Sequence, residues 1–296
     1  MSHVLTLMGP GLATTPSITA VAGTILRGAG ATVSATDWLA PGKACDIRFS
    51  AAQPARIEAA VRTGLAAADL DVAVQPSAGR RKQLLVADME STIITRELLD
   101  ELAGLAGYGA EVAAITRRSM RGEIDFARSL RERVAMLAGQ PLALLDRITD
   151  LIELTAGARA LVRTMRAHGA WTVLVSGGFD AFAARVAADC GFHEFRANRL
   201  ESAQGKLTGT VAEPILDGTS KRDILAKLAA DRDLLPSATA AIGDGANDIG
   251  MLQIAGLGVA FHAKPAVTAA ARFRLDRTDL TGLLYLQGYR CEEIRE

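Results

Sequence analysis

The chain has 296 residues, 49% of them hydrophobic and 22% charged, with 33 basic residues balanced by 33 acidic ones. That is an ordinary globular balance with room for about two domains, and zero net charge without a basic stripe argues against a nucleic-acid binder. Aromatic residues make up only 4%, so the core must rest on Ala, Val, Leu and Ile, which favours helices packed on a parallel sheet over a sandwich.

Residues 4–26 carry no charge. However, Pro10, Pro16, three glycines and several hydroxyl residues interrupt the segment, and no Lys or Arg precedes it. It therefore fits neither a secretory signal nor a membrane span. Cys45, Cys190 and Cys291 are odd in number, far apart and without metal spacing, as expected of free thiols in a reducing cytoplasm.

Residues 4–7 have strand character and 16–28 have helical spacing. Residues 31–39 and 44–50 read as paired strands around Pro41-Gly42, 54–68 as an Ala-rich helix with Pro in its first turn, and 70–74 as a last strand. The order β-α-β-β-α-β is that of a ferredoxin-like α+β unit, assigned to residues 1–78. Residues 77–82 read as a linker, with Arg80-Arg81-Lys82 as a solvated hinge.

Residues 83–87 form an apolar run of strand length ending at Asp88, and similar runs follow at 171–175, 192–197, 238–242 and 257–261. Runs apolar on both faces suggest buried parallel strands, and the helical patterns between them give a doubly wound α/β core within residues 79–296. Ligands of such sheets sit outside the carboxyl ends of the strands. The long helical stretch after the first core strand is exemplified by 124–138, with Leu130, Val134 and Leu137 on one face. It reads as a cap of about residues 96–155.

The strand ends carry the chemistry. Asp88-Met89-Glu90-Ser91-Thr92 places two carboxylates at the mouth of a buried strand, where acids without partners are costly. Ser176-Gly177-Gly178 can present amides to a phosphate, although alone it fits a tight turn equally well. Lys221 opens a helix, an unfavourable place for a cation unless an anion shares the site; alone, a solvated lysine is the simpler reading. Gly243-Asp244-Gly245-Ala246-Asn247-Asp248 sets two aspartates in a Gly-rich loop, which suits a hard cation.

Taken in order, these four motifs resemble the haloacid dehalogenase phosphatase superfamily, and more narrowly the phosphoserine phosphatase family, over roughly residues 83–290. Supporting stretches are 94–97, 120–126, 129–134, 176–179 and 197–201. The resemblance implies a Rossmannoid haloacid dehalogenase-like core with a helical cap, and magnesium-dependent hydrolysis of O-phospho-L-serine, the last step of serine biosynthesis, through an aspartyl-phosphate. Asp88 would be the nucleophile, Ser176 and the Gly177 amide would hold phosphate, and Lys221 would neutralise it. Asp88, Asp244 and the Glu90 carbonyl would bind one Mg²⁺ with support from Asp248, and Asn247 would line the loop. Glu97 would take the substrate ammonium, Arg133 its carboxylate, and Met120 and Phe126 would close the pocket. From helical spacing alone Glu97 and Arg133 read as surface salt-bridge residues. One departure is Glu90, where the family usually has Asp; that residue would protonate the leaving oxygen and then activate water. The first unit is loosely similar to small amino-acid-binding (ACT-like) domains. Glu90 leaves open a phosphotransferase or a phosphatase for another small ester, such as transfer to homoserine. The extra unit leaves open an inactive serine sensor, and a homodimer is also left open. The substrate would be a small molecule, with no nucleic-acid or membrane partner.

Overall fold

The computed structural model describes residues 2–14, 17–121 and 123–296, less the side chains of residues 13, 14 and 120. The first unit comprises β1 (Ser2–Met8), a single helical turn α1 (Gly11–Thr14), α2 (Ile18–Gly28), β2 (Thr32–Ala40), β3 (Ala44–Ser50), α3 (Pro54–Gly64) and β4 (Asp71–Pro76). Its strands form an antiparallel sheet in the order β2-β3-β1-β4. Alternation along the strands sends Leu5, Leu7, Cys45 and Ile47 to one face, where they pack with Leu26, Ile57 and Val61 of the two long helices. Each predicted element is present. α3 stops at Gly64, short of residue 68, with Leu65 as its C-cap at φ −108°, ψ 11°. Residue 16, the expected start of the second helix, lies outside the described residues.

The second unit opens with β5 (Leu84–Ala87). An insertion of helices follows, α4 (Leu98–Leu105), α5 (Gly109–Met120), α6 (Phe126–Ala135) and α7 (Ala143–Thr149), before α8 (Ala158–Ala167) and β6 (Trp171–Phe179). Then come α9 (Asp180–Cys190), β7 (Glu194–Asn198), a hairpin of β8 (Leu200–Ala203) and β9 (Lys206–Val211), and α10 (Gly218–Ala230). The chain ends with β10 (Thr239–Gly243), α11 (Ile249–Ile254), β11 (Leu257–Phe261), α12 (Pro265–Ala270), β12 (Phe273–Leu275) and α13 (Gly282–Leu286). Six strands make a parallel sheet in the order β12-β11-β10-β5-β6-β7. Both faces are covered: Leu85 and Ala87 enter one apolar cluster, Leu84 and Val86 another. That is why these strands read as continuous apolar runs. The short hairpin and the three-residue β12 escaped sequence reading because neither has a run long enough to show a period.

From β5 the chain winds outward to β7, then returns to β10 on the other side of β5. The switch in winding direction therefore lies between β5 and β10, where such sheets open a crevice for ligands. The helical insertion joins this edge through a two-stranded neck, with Thr95 N donating to Glu153 O at 3.0 Å and Thr155 N to Ile93 O at 2.9 Å. Among the described residues no helix is long and apolar enough to cross a membrane.

Of the expected solvated hinge, Arg81 is exposed, but Arg80 and Lys82 are buried in a joint between the two units. Met8, Leu39, Ala40, Ala44 and Ala73, on the face of the antiparallel sheet away from its helices, share one apolar cluster with Leu283, Leu284 and Leu286 of α13. Arg80 is buried there and pairs through Nη1 with Asp46. Its Nε donates to Leu286 O at 3.0 Å and its Nη2 to Tyr285 O at 2.9 Å, carbonyls of the last turn of α13. Gln75 donates to Leu286 O at 2.7 Å, and Lys82 Nζ reaches the Gly79 and Ser237 carbonyls, both at 2.8 Å. The basic run looked solvated because its anionic partner, Asp46, lies 34 residues away in sequence. Removing one partner of a buried pair leaves an uncompensated charge. Arg80→Ala should therefore lower the unfolding free energy by about 3 kcal/mol or more, read from urea unfolding curves. An unchanged midpoint would show that the joint contributes nothing.

Candidate active site

Asp88 follows β5 and Asp244 follows β10, so adjacent parallel strands deliver two carboxylates to the switch point. The Asp88 amide donates to Ile242 O at 3.0 Å, which extends the ladder to the acid itself. Carboxylate oxygens of Asp88, Asp244 and Asp248 all lie within 4.8 Å of one another, and all three residues are buried. Lys221 Nζ contacts Asp88 Oδ1 and donates to Asp248 Oδ1 at 2.6 Å. Asp248 Oδ2 accepts from the Gly245 amide at 3.0 Å. Lys221 is fully buried near the start of α10, whose N-cap is Asp217, accepting from Ser220 N at 2.9 Å. The unfavourable position for a cation is thus explained by the anions it faces.

One ammonium against three carboxylates leaves excess negative charge. Burial and the Asp248 charge push the Asp88 carboxyl well above the usual range despite Lys221. Burial and Asp248 likewise push Asp244 up to about 6. Burial opposes the charge on Lys221, but Asp248 and Asp88 outweigh it and its pKa is raised. A cluster of hard oxygen donors short of positive charge fits a divalent cation.

Glu90 extends from the same loop. Its Oε1 accepts from Leu98 N at 2.8 Å, the first amide of α4, so the extra methylene lets it reach the inserted helices. Burial and the nearby Glu97 charge raise Glu90 to about 8, against the pull of the Leu98 amide and Arg133. Gly178 makes room for it: a methyl there would sit 2.9 Å from Glu90 Oε2. Ser91 adopts a left-handed φ of 56° and donates to Glu97 Oε1 at 2.8 Å, which orients Glu97 at the N-cap of α4.

Asp88, Glu90, Glu97, Phe126, Arg133, Gly177, Asp244 and Asn247 line one cavity of about 780 Å³. That volume is within the range of small-molecule sites. Phe126 closes against the strand-end loop so tightly that a methyl on Gly177 would lie 2.9 Å from its ring. Ser176 lies deeper than expected: it is 1% exposed and its Oγ accepts from Gly178 N at 2.9 Å, leaving Gly177 and Gly178 at the surface of the cavity. β6 itself continues to Phe179, beyond residue 175. The side chain of Met120 lies outside the described residues. Sequence reading noted Asn198 only within the stretch 197–201 and missed its role: it donates to Gly177 O at 2.8 Å and accepts from Leu216 N at 2.7 Å, bracing two of the loops. It also missed Lys264, whose charge draws Asp244 down and which lines the cavity. Neither has a local pattern that marks it.

The model of the haloacid dehalogenase-like hydrolase family matches residues 85–253. A phosphoserine phosphatase of Lactococcus lactis is 45% identical over 204 residues, covering 69% of this chain and 94% of that protein. The structure of a probable phosphoserine phosphatase from Vibrio cholerae superposes with a TM-score of 0.79 at 32% identity, covering 97% of this chain and 86% of that one. A phospho-aspartyl intermediate analogue of a phosphoserine phosphatase matches with a TM-score of 0.65 at 36% identity, covering 69% of this chain and 98% of that one. The chain spans 63%, 62% and 56% of three other curated phosphoserine phosphatases, from Archaeoglobus fulgidus, Streptomyces coelicolor and Mycobacterium tuberculosis.

The raised Glu90 has a measurable consequence for the metal-free protein. An unfolded Glu titrates near 4.5 and the folded one near 8. Between those values the folded protein holds a proton that the unfolded chain has released. Stability should therefore fall as pH rises from about 4.5 to about 8. Glu90→Gln should remove that component and be more stable than the parent at pH 9 by at least about 1 kcal/mol. Equal urea midpoints at pH 9 would contradict the burial of this carboxyl.

Proposed function

The chain belongs to the haloacid dehalogenase-like hydrolases and, within them, to the phosphoserine phosphatase family, and from that premise we propose that it hydrolyses O-phospho-L-serine to L-serine and phosphate. The observation that carries the reading is the convergence of Asp88, Lys221, Asp244 and Asp248 at the switch between β5 and β10, beneath a cavity that also holds Glu97 and Arg133.

In this reading Asp88 is the nucleophile. Its carboxylate attacks phosphorus, the bond from phosphorus to the serine oxygen breaks, and Glu90 gives that oxygen its proton. A carboxyl titrating near 8 is protonated at neutral pH, as a general acid must be. Water then attacks the aspartyl-phosphate, Glu90 takes the water's proton, and Asp88 leaves as the carboxylate. Covalent capture splits one difficult displacement into two easier ones. Ser176 and the Gly177 amide hold phosphoryl oxygens, and the Gly178 amide fixes the serine by donating to its Oγ at 2.9 Å. Lys221 keeps Asp88 in place and offsets charge on the phosphoryl group. Asp88, Asp244 and the Glu90 carbonyl, with Asp248 in support, would hold Mg²⁺, which would lower the repulsion between carboxylate and phosphate. Asn247 lines the phosphate loop.

Helices α4–α7 serve as the cap. Glu97 takes the substrate ammonium, Arg133 its carboxylate by a two-pronged contact, and Phe126, with Met120, closes the site. The antiparallel unit is ferredoxin-like and related to ACT-like domains, and we read the protein as cytoplasmic.

Phosphate release from L-phosphoserine with Mg²⁺ tests the reading. Asp88→Asn should abolish turnover; activity equal to the parent would remove Asp88 from the mechanism. Glu90→Gln should lower kcat by about 10²- to 10⁴-fold. In the parent, the acid-dependent step should slow as pH rises past about 8, where Glu90 loses its proton. A rate that stays level from pH 7 to 10 would assign the proton to another group.

A further inference from the structure

Ser129 sits on α6 one turn before Arg133 and belongs to the wall of the active-site cavity. It is 1% exposed, yet its hydroxyl oxygen has no hydrogen-bond partner among the described residues. A serine inside a helix commonly bonds the carbonyl one turn back. Here that carbonyl, on Asp125, accepts the Ser129 amide at 3.0 Å, and the hydroxyl does not use it. Buried polar groups in native proteins almost always find a partner, so an orphan beside a cavity needs one from outside the chain. Ser129 is also tied to Arg133: its carbonyl accepts from Arg133 Nε at 3.3 Å.

We propose that the Ser129 hydroxyl donates to the carboxylate of the bound amino-acid phosphate, next to the Arg133 guanidinium, and so helps select substrates bearing that carboxylate. The inference rests on the phosphoserine reading above. A carboxylate offers about four lone-pair sites, of which a two-pronged guanidinium uses two, so an acceptor remains for a hydroxyl. A neutral donor suits the position. A second cation would be repelled by Arg133, and an acid would add to the charge of Glu90, Glu97 and Asp100 around that guanidinium. A change to another staggered χ1 position would let the hydroxyl face a ligand in the cavity.

Ser129→Ala separates binding from structure. A hydrogen bond to a charged group is commonly worth about tenfold or more in affinity. KM for L-phosphoserine should therefore rise about tenfold with kcat within about twofold. Competitive inhibition by inorganic phosphate, which lacks the carboxylate, should be unchanged. The unfolding midpoint of the ligand-free variant should not fall, since the deleted hydroxyl has no partner to lose. An unchanged KM overturns the inference, as does a rise matched by equally weakened phosphate inhibition, which would mean a distorted site. A parent protein that releases no phosphate from L-phosphoserine overturns both this inference and the reading beneath it.

Discussion

The site depends on an imbalance of charge. Three buried carboxylates occupy a space less than 5 Å across, and one buried ammonium touches two of them. At the effective dielectric of a protein, unit charges 4 Å apart interact by about 4 kcal/mol. Lys221 therefore cannot neutralise Asp88, Asp244 and Asp248 together, and Asp88 and Asp244 lean toward protonation. A doubly positive ion would offset this excess of two negative charges. Such a cation would favour the ionised form of the carboxylates, and a phosphoryl group would give Lys221 a further partner. Metal binding, substrate binding and deprotonation are thereby linked.

The polypeptide reaches this state through topology. Parallel strands β5 and β10 are neighbours only because the chain reverses its winding between them. Sequence patterns revealed the strands, since runs such as Leu84–Ala87 and Leu257–Phe261 are apolar on both faces, and the polar residues at their ends followed. The depth of each group was not visible. Ser176 was expected at the surface of the phosphate loop but lies beneath it, because β6 continues to Phe179 and turns the hydroxyl toward the Gly178 amide. The role of Asn198 was not legible because its partners, Gly177 and Leu216, come together only in three dimensions.

The same difficulty explains the misreading of residues 77–82. A short basic run between two patterned units has the composition of a hinge, and solvation is the usual fate of such charges. Arg80 is buried because the end of α13 offers acceptor carbonyls and β3 offers Asp46, neither nearby in sequence. Asp71 repeats the device, accepting from the amides of Asp276, Arg277 and Thr278. Two polar clamps on an apolar sheet face join the antiparallel unit to the second unit as one packed body. That face of the sheet is covered by the chain's own α13 and is not free for another partner.

Glu90 joins the charged floor to the helices above it. An aspartate at this position would end one bond sooner. The longer side chain sets its carboxyl on the first amide of α4, within the field of Glu97 and Arg133, and fills the space that Gly178 leaves. Its pKa near 8 comes first from burial, and the inserted helices supply part of that burial. Were they to lift away, water would return and the carboxyl would fall back toward its ordinary value. Were Glu90 the donor to a leaving oxygen, its proton would be held only while the insertion covers the site. An acid that is strong in the open state and weak in the closed one ties proton donation to enclosure of the substrate.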